Sequence, residues 1–515
     1  MTRCVSPQQE FFPLLVAIIV FAFGSAGLGP MSVSATAKTI FVRDSIGDDA
    51  RGVEEATQVR TPVKTIQRGL DLAEPDDLVF VQAGTYREHV RVRRSGLMLR
   101  PITIAGTQIG TSRIIGSIGG IGVRYITVRN LDISNSEVPN IPQELWPLES
   151  ADPKGIFFYL SHNIKILNNC VHHCRGGGMA INQSDNIWIT GNLVYANAAE
   201  VPTDNSGISI YQPFLLRTPT TSRFSIVVNN NICFSNSNGF FGRPITDGHG
   251  ILFDDFHQTQ RAMFESLLPY YAAEIEINGE GQYEQILADI DFEKIYDRPT
   301  SIESNLCFNN GGAGILTYLS DGVEIRNNAC VLNQQNIFFF AELMLLESER
   351  CRVHNNLLIS PERGQGVSPD GTPDLRVAGL ARNVAGDILT SQRFIRSAIF
   401  DTPSSLLQVS ASGVKKDPRK LFRAETLFLT SDKFKIDFDA VTGRFSFDAN
   451  GLLVDKGNPV RWLQTRDLLG SLRVRGASIE IGPIEMESDP GFQLRLIIQQ
   501  LIRLAILRRP AVEFR

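Results

Sequence analysis

Tryptophan is scarce in this chain of 515 residues, at three, while glycine is plentiful, at 43. Cysteine is sparse as well: seven in this length is far below the density of a disulfide-stapled scaffold. Neither sign of charge dominates. Fifty Lys and Arg face 55 Asp and Glu, a net charge of −5, which argues against a general nucleic-acid binder. With 43% hydrophobic residues, wholesale disorder is excluded. The apolar run at 11–23 falls short of the ~20 residues that a comfortable membrane span needs. It follows a weakly basic start at Arg3 and precedes the small-x-small pattern Ala35-Thr36-Ala37. Residues 1–37 therefore read as a secretory signal cut near Ala37, with an uncleaved anchor as the alternative. A periplasmic or extracellular mature chain is expected.

A sustained helical period is also missing from the middle of the chain, where Gly and Asn recur instead. Six segments align on one asparagine: NNCVHHC (Asn169), GNLVYAN (Asn192), NNICFSN (Asn231), SNLCFNN (Asn305), NNACVLN (Asn328) and NNLLIS (Asn356). Asn130 adds a further copy, and a second asparagine column follows five residues on, at Asn135, Asn197, Asn236, Asn310 and Asn333. Some steps are 23 residues, as from 169 to 192 and from 305 to 328, and the longer ones are that length plus an insertion. A short alternating strand precedes each asparagine and another follows it. A third opens with Gly: GIFFY (Gly155), GMAIN (Gly178), GISIY (Gly207), GILFD (Gly250) and GILTY (Gly314). Three short strands per repeat predict a coil of parallel strands with rungs ~4.8 Å apart. A stacked asparagine column satisfies itself, each amide donating to one neighbour and accepting from the other. Alternation points Ile208 and Ile210 inward and Ser209 and Tyr211 outward.

These repeats resemble the right-handed parallel β-helix proteins of the pectate-lyase-like superfamily. The segments TIFVRDSIGDD, TPVKTIQRGLDLA and DDLVFVQAGTYRE are similar to that family's entry module, in which a short helix caps the coil; Ile66, Leu70 and Ala73 form its apolar face. Asp455-Lys456-Gly457-Asn458-Pro459 and the stretch from Ile479 to Glu485 are similar to its closing motifs. The expected class is all-β, with an N-terminal capping helix and an irregular C-terminal region. Expected divisions are the signal at 1–37, cap and first coils at 38–115, coil core at 116–365, and C-terminal coils or irregular cap at 366–490. A basic, apolar helix at 491–515 closes the chain. Its residues 491–509 read as a cap on the coil end, or alternatively as a surface for a membrane or partner. A capped coil is expected to be monomeric.

Cys233, Cys307 and Cys330 share one column and read as stacked buried thiols, with a 307–330 bridge as the alternative. Cys170, His172, His173 and Cys174 invite a metal reading, but one strand cannot aim all four side chains at one ion.

The longest insertion, at about 256–300, is acidic and aromatic and reads as a lid or groove wall beside the Gly-opened strands. Two outward columns flank those strands. Three residues before the Gly stand Asp152, Arg175, Asp204, Asp247 and Gly311; four residues after it stand Tyr159, Asn182, Tyr211, Asp254 and Tyr318. The second column, with His257, suits sugar rings and is the expected substrate-binding set. Asp204, Asp247, Asp254 and Asp255 offer hard oxygen ligands for Ca²⁺. Each also reads as a plain turn aspartate, and His249 and His257 as surface or loop histidines. The resemblance implies a calcium-dependent lyase that cleaves an acidic, uronic-acid polysaccharide by β-elimination. No lysine stands on the following rung, which leaves Arg243 and Arg175 as the candidate bases. TDN (203–205), GHG (248–250) and DD (254–255) resemble scattered polygalacturonase motifs, but their order differs and no RIK tripeptide follows. A glycoside hydrolase and a non-catalytic glycan-binding or surface structural protein are the alternatives.

Overall fold

The computed structural model describes residues 36–137, 154–200, 205–217, 222–239, 247–276, 282–292, 294–333, 335, 342–348 and 350–359, and the backbone of seven short strands between 393 and 448. The signal at 1–37 (but for its last two residues), the closing motifs near 455 and 479, and the 491–509 segment lie outside the described residues.

Three long parallel sheets carry the architecture, of 11, 8 and 11 strands. The chain visits them in turn, so each sheet gains a strand per coil. The first sheet holds the strands that precede the ladder asparagine, such as Asp185–Thr190. The third holds those that follow it, such as Leu193–Tyr195. The second holds the Gly-opened strands: Ile156–Tyr159, Met179–Asn182, Ile208–Tyr211, Ile251–Asp254 and Ile315–Tyr318, followed by Leu343–Leu346. Their register is as the sequence columns require: Tyr159 pairs with Asn182, Asn182 with Tyr211, Tyr211 with Asp254, and Asp254 with Tyr318.

Alternation within each strand builds the interior. Ile208, Ile210, Ile251, Phe253, Ile315 and Leu343 are fully buried in one continuous core. Apolar burial of ~25 cal/mol per Å² is the main stabilising term. The asparagine ladder runs through this core: Asn169 donates to Asn192, Asn192 to Asn231, Asn231 to Asn305, Asn305 to Asn328 and Asn328 to Asn356, at 2.9–3.1 Å. The residue before each of these ladder asparagines takes a left-handed backbone, as at Asn168, Asn230 and Asn327 with φ of 53, 54 and 53°, which Asn tolerates better than most residues. Asn130, at φ 59°, is in register with Asn168 and so holds this position, not the ladder position expected from the repeat. The second ladder joins Asn197, Asn236, Asn310 and Asn333 and ends on the buried carboxylate of Glu342. It explains the opening glycines. A Cβ on Gly207 would stand 2.7 Å from Asn236 Nδ2, and one on Gly314 2.8 Å from Asn333 Nδ2.

Near the start of the coil, α1 (Val53–Ala56) and α2 (Ile66–Leu72) flank the Thr39–Val42 strand. Thr65 caps α2 by accepting from Arg68 N, and Ile66, Leu70 and Ala73 are buried. The 256–300 insertion forms two helices, α3 (Arg261–Glu276) and α4 (Gln282–Ala288), that no sequence pattern had indicated. Among the described residues, no helix is long and apolar enough to cross a membrane. In the 370–450 region, the Arg393–Ile395, Ala398–Asp401 and Leu427–Thr430 strands extend the first and third sheets, while Val409–Ala411 with Val414–Lys416 and Lys435–Asp439 with Arg444–Asp448 form hairpins. All six described cysteines are buried thiols; Cys307 pairs with Cys233 and Cys330 in register without a bridge.

Candidate functional site

The outward face of the second sheet is divided by the insertion. Over its early rungs α3 and α4 lie flat: Ile275 and Ile286 reach the turn at Gly122, and Phe264, Tyr271 and Ile275 pack with Ile121, Phe157, Tyr159 and Ala180. Tyr159 is therefore not an open sugar platform. The residue is 8% exposed, its ring lying between the tilted rings of Phe157 and Tyr271, with Lys154 over its face. The insertion is clamped where it returns to the coil. Tyr296 donates to the buried Asp185 at 2.6 Å, and Arg298 pairs with the same carboxylate at 3.0 Å. A two-residue antiparallel pairing of Leu215–Leu216 with Ile290–Asp291 ties it to the loop after Tyr211.

Beyond the helices the face opens. Tyr211, Asp254 and Tyr318 stand half-exposed on three consecutive rungs, with Asn182 on the rung before them. Tyr211 Oη donates to Gln260 Oε1 at 3.0 Å, so the start of α3 forms one wall. Burial, and then the charges of Glu347, Asp254 and Asp255, push the Tyr318 hydroxyl above its ordinary value. It remains a proton donor at neutral pH. His257 lies beside this stretch, with Nε2 3.1 Å from Asp321 Oδ1.

Of the four aspartates expected to hold Ca²⁺, three are described, and those three do not come together. Asp204 lies outside the described residues, as does Arg243. Asp247 precedes the Ile251–Asp254 strand and Asp254 ends it, and that strand alone spans ~10 Å. Calcium bonds of about 2.3–2.6 Å cannot join its two ends. Asp255 is fully buried and saturated: Oδ1 accepts from Thr259 N and Oγ1, and Oδ2 from Gln260 N and Gln212 Nε2. It continues a turn column, Gln183 donating to Gln212 and Gln212 to Asp255, and braces the entry to α3. Asp247, Asp254 and Asp255 do not form one calcium cage. Arg175, at the opposite end of its rung from Asn182, pairs with Glu200 at 3.3 Å and donates to the Ser136 carbonyl.

His249 is not a surface histidine. It is fully buried, and its Nδ1 accepts from Ala313 N at 2.8 Å, which leaves the proton on Nε2, 3.9 Å from Asp247 Oδ1. The close approach that encloses the ring is permitted by Gly312 on the next rung, where a Cβ would stand 2.7 Å from His249 Cε1.

A family model described as "right handed beta helix region" matches residues 98–254. With three parallel sheets visited in turn, that match decides the architecture. The fold is a right-handed parallel β-helix. Solved structures similar to this β-helix include the pectate lyase Pel9A, at 11% identity over 88% of this chain and 98% of that one, with a TM-score of 0.42. XylC in complex with xylose matches at 11% identity over 88% and 99%, with a TM-score of 0.44. The A-module of the Azotobacter vinelandii mannuronan C-5 epimerase AlgE4 matches at 14% over 69% and 94%, with a TM-score of 0.31. At such identities the likeness concerns the fold alone. No curated protein sequence matches the chain.

Proposed function

We propose that this β-helix binds a polysaccharide along the Tyr211–Asp254–Tyr318 column and acts on it. The observation that carries the reading is the column itself. Two phenol rings flank a carboxylate on adjacent rungs ~4.8 Å apart, outside the part of the face that α3 and α4 cover. Ring faces stack on the apolar faces of sugars while Asp254 and the phenol hydroxyls meet their polar edges. Asn182 and His257 extend the same surface. Tyr159 contributes from beneath, by holding α3 in place.

Chemically the column offers a carboxylate and a phenol donor, which is an acid–base pair for work at a sugar ring. β-Elimination on a uronic-acid polymer is the first reaction to test. Asp254 and Glu347 near Tyr318 make the groove acidic, so a polyanion needs a counter-cation to lie there. Calcium is the cation to supply, with no ligand set assigned. Hydrolysis of a glycan is the second reaction. Binding without turnover is the third reading that the same experiment separates.

The chain should be mixed with uronic-acid and neutral polymers, with calcium and with chelator. Unsaturated ends measured by ultraviolet absorbance report elimination, new reducing ends report hydrolysis, and retardation in polymer-containing gels reports binding. Tyr211→Ala and Tyr318→Ala should each weaken binding about tenfold, or ~1.4 kcal/mol. Retention of full affinity by the double variant would sink the proposed groove.

A further inference from the structure

We infer that Asp132, Cys170 and His172 form a binding site for a borderline transition-metal ion, Zn²⁺ in the first instance, on the outward face of the third sheet. The site is independent of the glycan groove. Cys170 and His172 are two apart on the Cys170–His172 strand and so share a face, and Asp132 pairs with Cys170 on the rung before. One strand could not gather four ligands; two strands gather three. Their ligand atoms all lie within 4.8 Å of one another, and His172 Nε2 is 3.0 Å from Asp132 Oδ1. Tetrahedral bonds of 2.0–2.3 Å set ligand atoms about 3.3–3.8 Å apart, so small side-chain movements complete the geometry.

The later rungs of the same two columns show what this face carries otherwise. They hold Leu193 and Tyr195, then Ile232 and Phe234, then Leu306 and Phe308, and the aromatic rings stack at 4.8 Å. Asp132, Cys170 and His172 interrupt that apolar surface while 0, 5 and 4% exposed. On the preceding rung Arg113 stands in register with Asp132, so the three side chains form a polar cluster at the edge of that apolar surface.

The adjacent histidine supplies an outer support. His172 Nδ1 lies 2.8 Å from His173 Nδ1, and the His172 ring stacks on Tyr195 at 5.0 Å. Without metal, His173 Nδ1–H donates to His172, whose Nε2–H donates to Asp132. With metal, both tautomers switch: His172 Nδ1–H donates to His173 and bare Nε2 binds the ion, the arrangement usual for a metal-bound histidine. One proton leaves, from the Cys170 thiol. Zn²⁺ with one thiolate and one carboxylate is then neutral, as a buried site requires. A sulfur, nitrogen and oxygen donor set suits Zn²⁺ or Co²⁺ better than a hard ion such as Ca²⁺.

The test is Co²⁺ titration of the chelator-treated full chain, followed by the thiolate-to-cobalt band and the visible ligand-field bands. About one Co²⁺ per chain should bind with both signals, and Zn²⁺ should displace it. Cys170→Ser should abolish the thiolate band, while Cys233→Ser, which alters an interior thiol, should leave it. His172→Gln should weaken Zn²⁺ binding at least about 100-fold, and His173→Gln, a change at the outer support, about 10–100-fold with the band retained. A missing thiolate band in the unaltered chain, or its persistence in Cys170→Ser, overturns the site. If Cys170→Ser does not fold, zinc-edge X-ray absorption of the unaltered protein decides. One sulfur neighbour at about 2.3 Å supports the site, and a shell of oxygen and nitrogen alone overturns it.

Discussion

Asn231→Ala tests whether the asparagine ladder holds the coils together. The side chain of Asn231 is fully buried and makes four hydrogen bonds. Nδ2 donates to the Ile189 carbonyl at 2.9 Å and to Asn305 Oδ1 at 3.0 Å. Oδ1 accepts from Asn192 N and Asn192 Nδ2, both at 2.9 Å. After truncation Asn192 Nδ2 keeps the Ile166 carbonyl, but Asn192 N–H faces a dry void. Three bonds at a net ~1 kcal/mol each, plus an orphaned buried donor at ~1–3 kcal/mol, give a loss of about 4–6 kcal/mol. Urea unfolding followed by circular dichroism should show this as a lower midpoint with an unchanged slope. The exposed Gln108→Ala should stay within ~0.5 kcal/mol. Asn231→Asp separates hydrogen bonding from volume, because it fills the same space but has no donor when ionised. Its loss at neutral pH should match or exceed that of the alanine variant. It should shrink in acid, where the carboxyl regains one donor. A loss below ~1 kcal/mol for Asn231→Ala, or an Asn231→Asp variant as stable as the unaltered chain at pH 7, would refute the ladder argument.

Three further outcomes are expected. Asp185→Ala removes the shared partner of Tyr296 and Arg298; it should cost about 3–5 kcal/mol and increase proteolytic cutting within 256–300, and unchanged cutting would mean that the clamp does not hold the insertion. Burial first, and Arg124 second, lower the pKa of His162 to about 4 from 6.5. The unfolded chain gains this proton below pH 6.5 and the folded chain does not, so stability should fall between about pH 6.5 and 4 by at most ~3 kcal/mol. The proton resonances of His162 should titrate near 4, and His162→Gln should flatten that part of the pH profile; a midpoint near 6.5 contradicts the burial argument. Cys233, Cys307 and Cys330 are fully buried and burial pushes their thiols up, so a thiol reagent at pH 8 should label them only in denaturant; rapid labelling of the native protein would show that the column opens.

The repeat was legible in the residues because its chemistry is local and periodic. Asn at the same place in each coil, Gly at the start of each outward-facing rung, and alternating Ile and Val leave few other folds that satisfy their polar groups. The outward columns followed from the period alone, and the register of Tyr159, Asn182, Tyr211, Asp254 and Tyr318 is the one that it implies.

What surrounds those columns was settled by tertiary packing. The sequence could place Tyr159 beside Tyr211 but could not show that α3 covers the first and spares the second, because that depends on where a 45-residue insertion folds back. Asp254 and Asp255 are neighbours in the chain and have opposite roles. One faces the groove, while the other, at φ 52°, turns inward to hold four donors. His249 reads as a loop residue until Ala313, 64 positions later, donates to its ring. Asp132 and Cys170 are 38 residues apart in the chain, and only the stacking of one coil on the next sets them side by side. A repeating sequence determines the rung, since each rung satisfies itself with near neighbours. Insertions and coil-to-coil stacking decide which rungs are open and which charges meet, because those contacts join segments that no local pattern links.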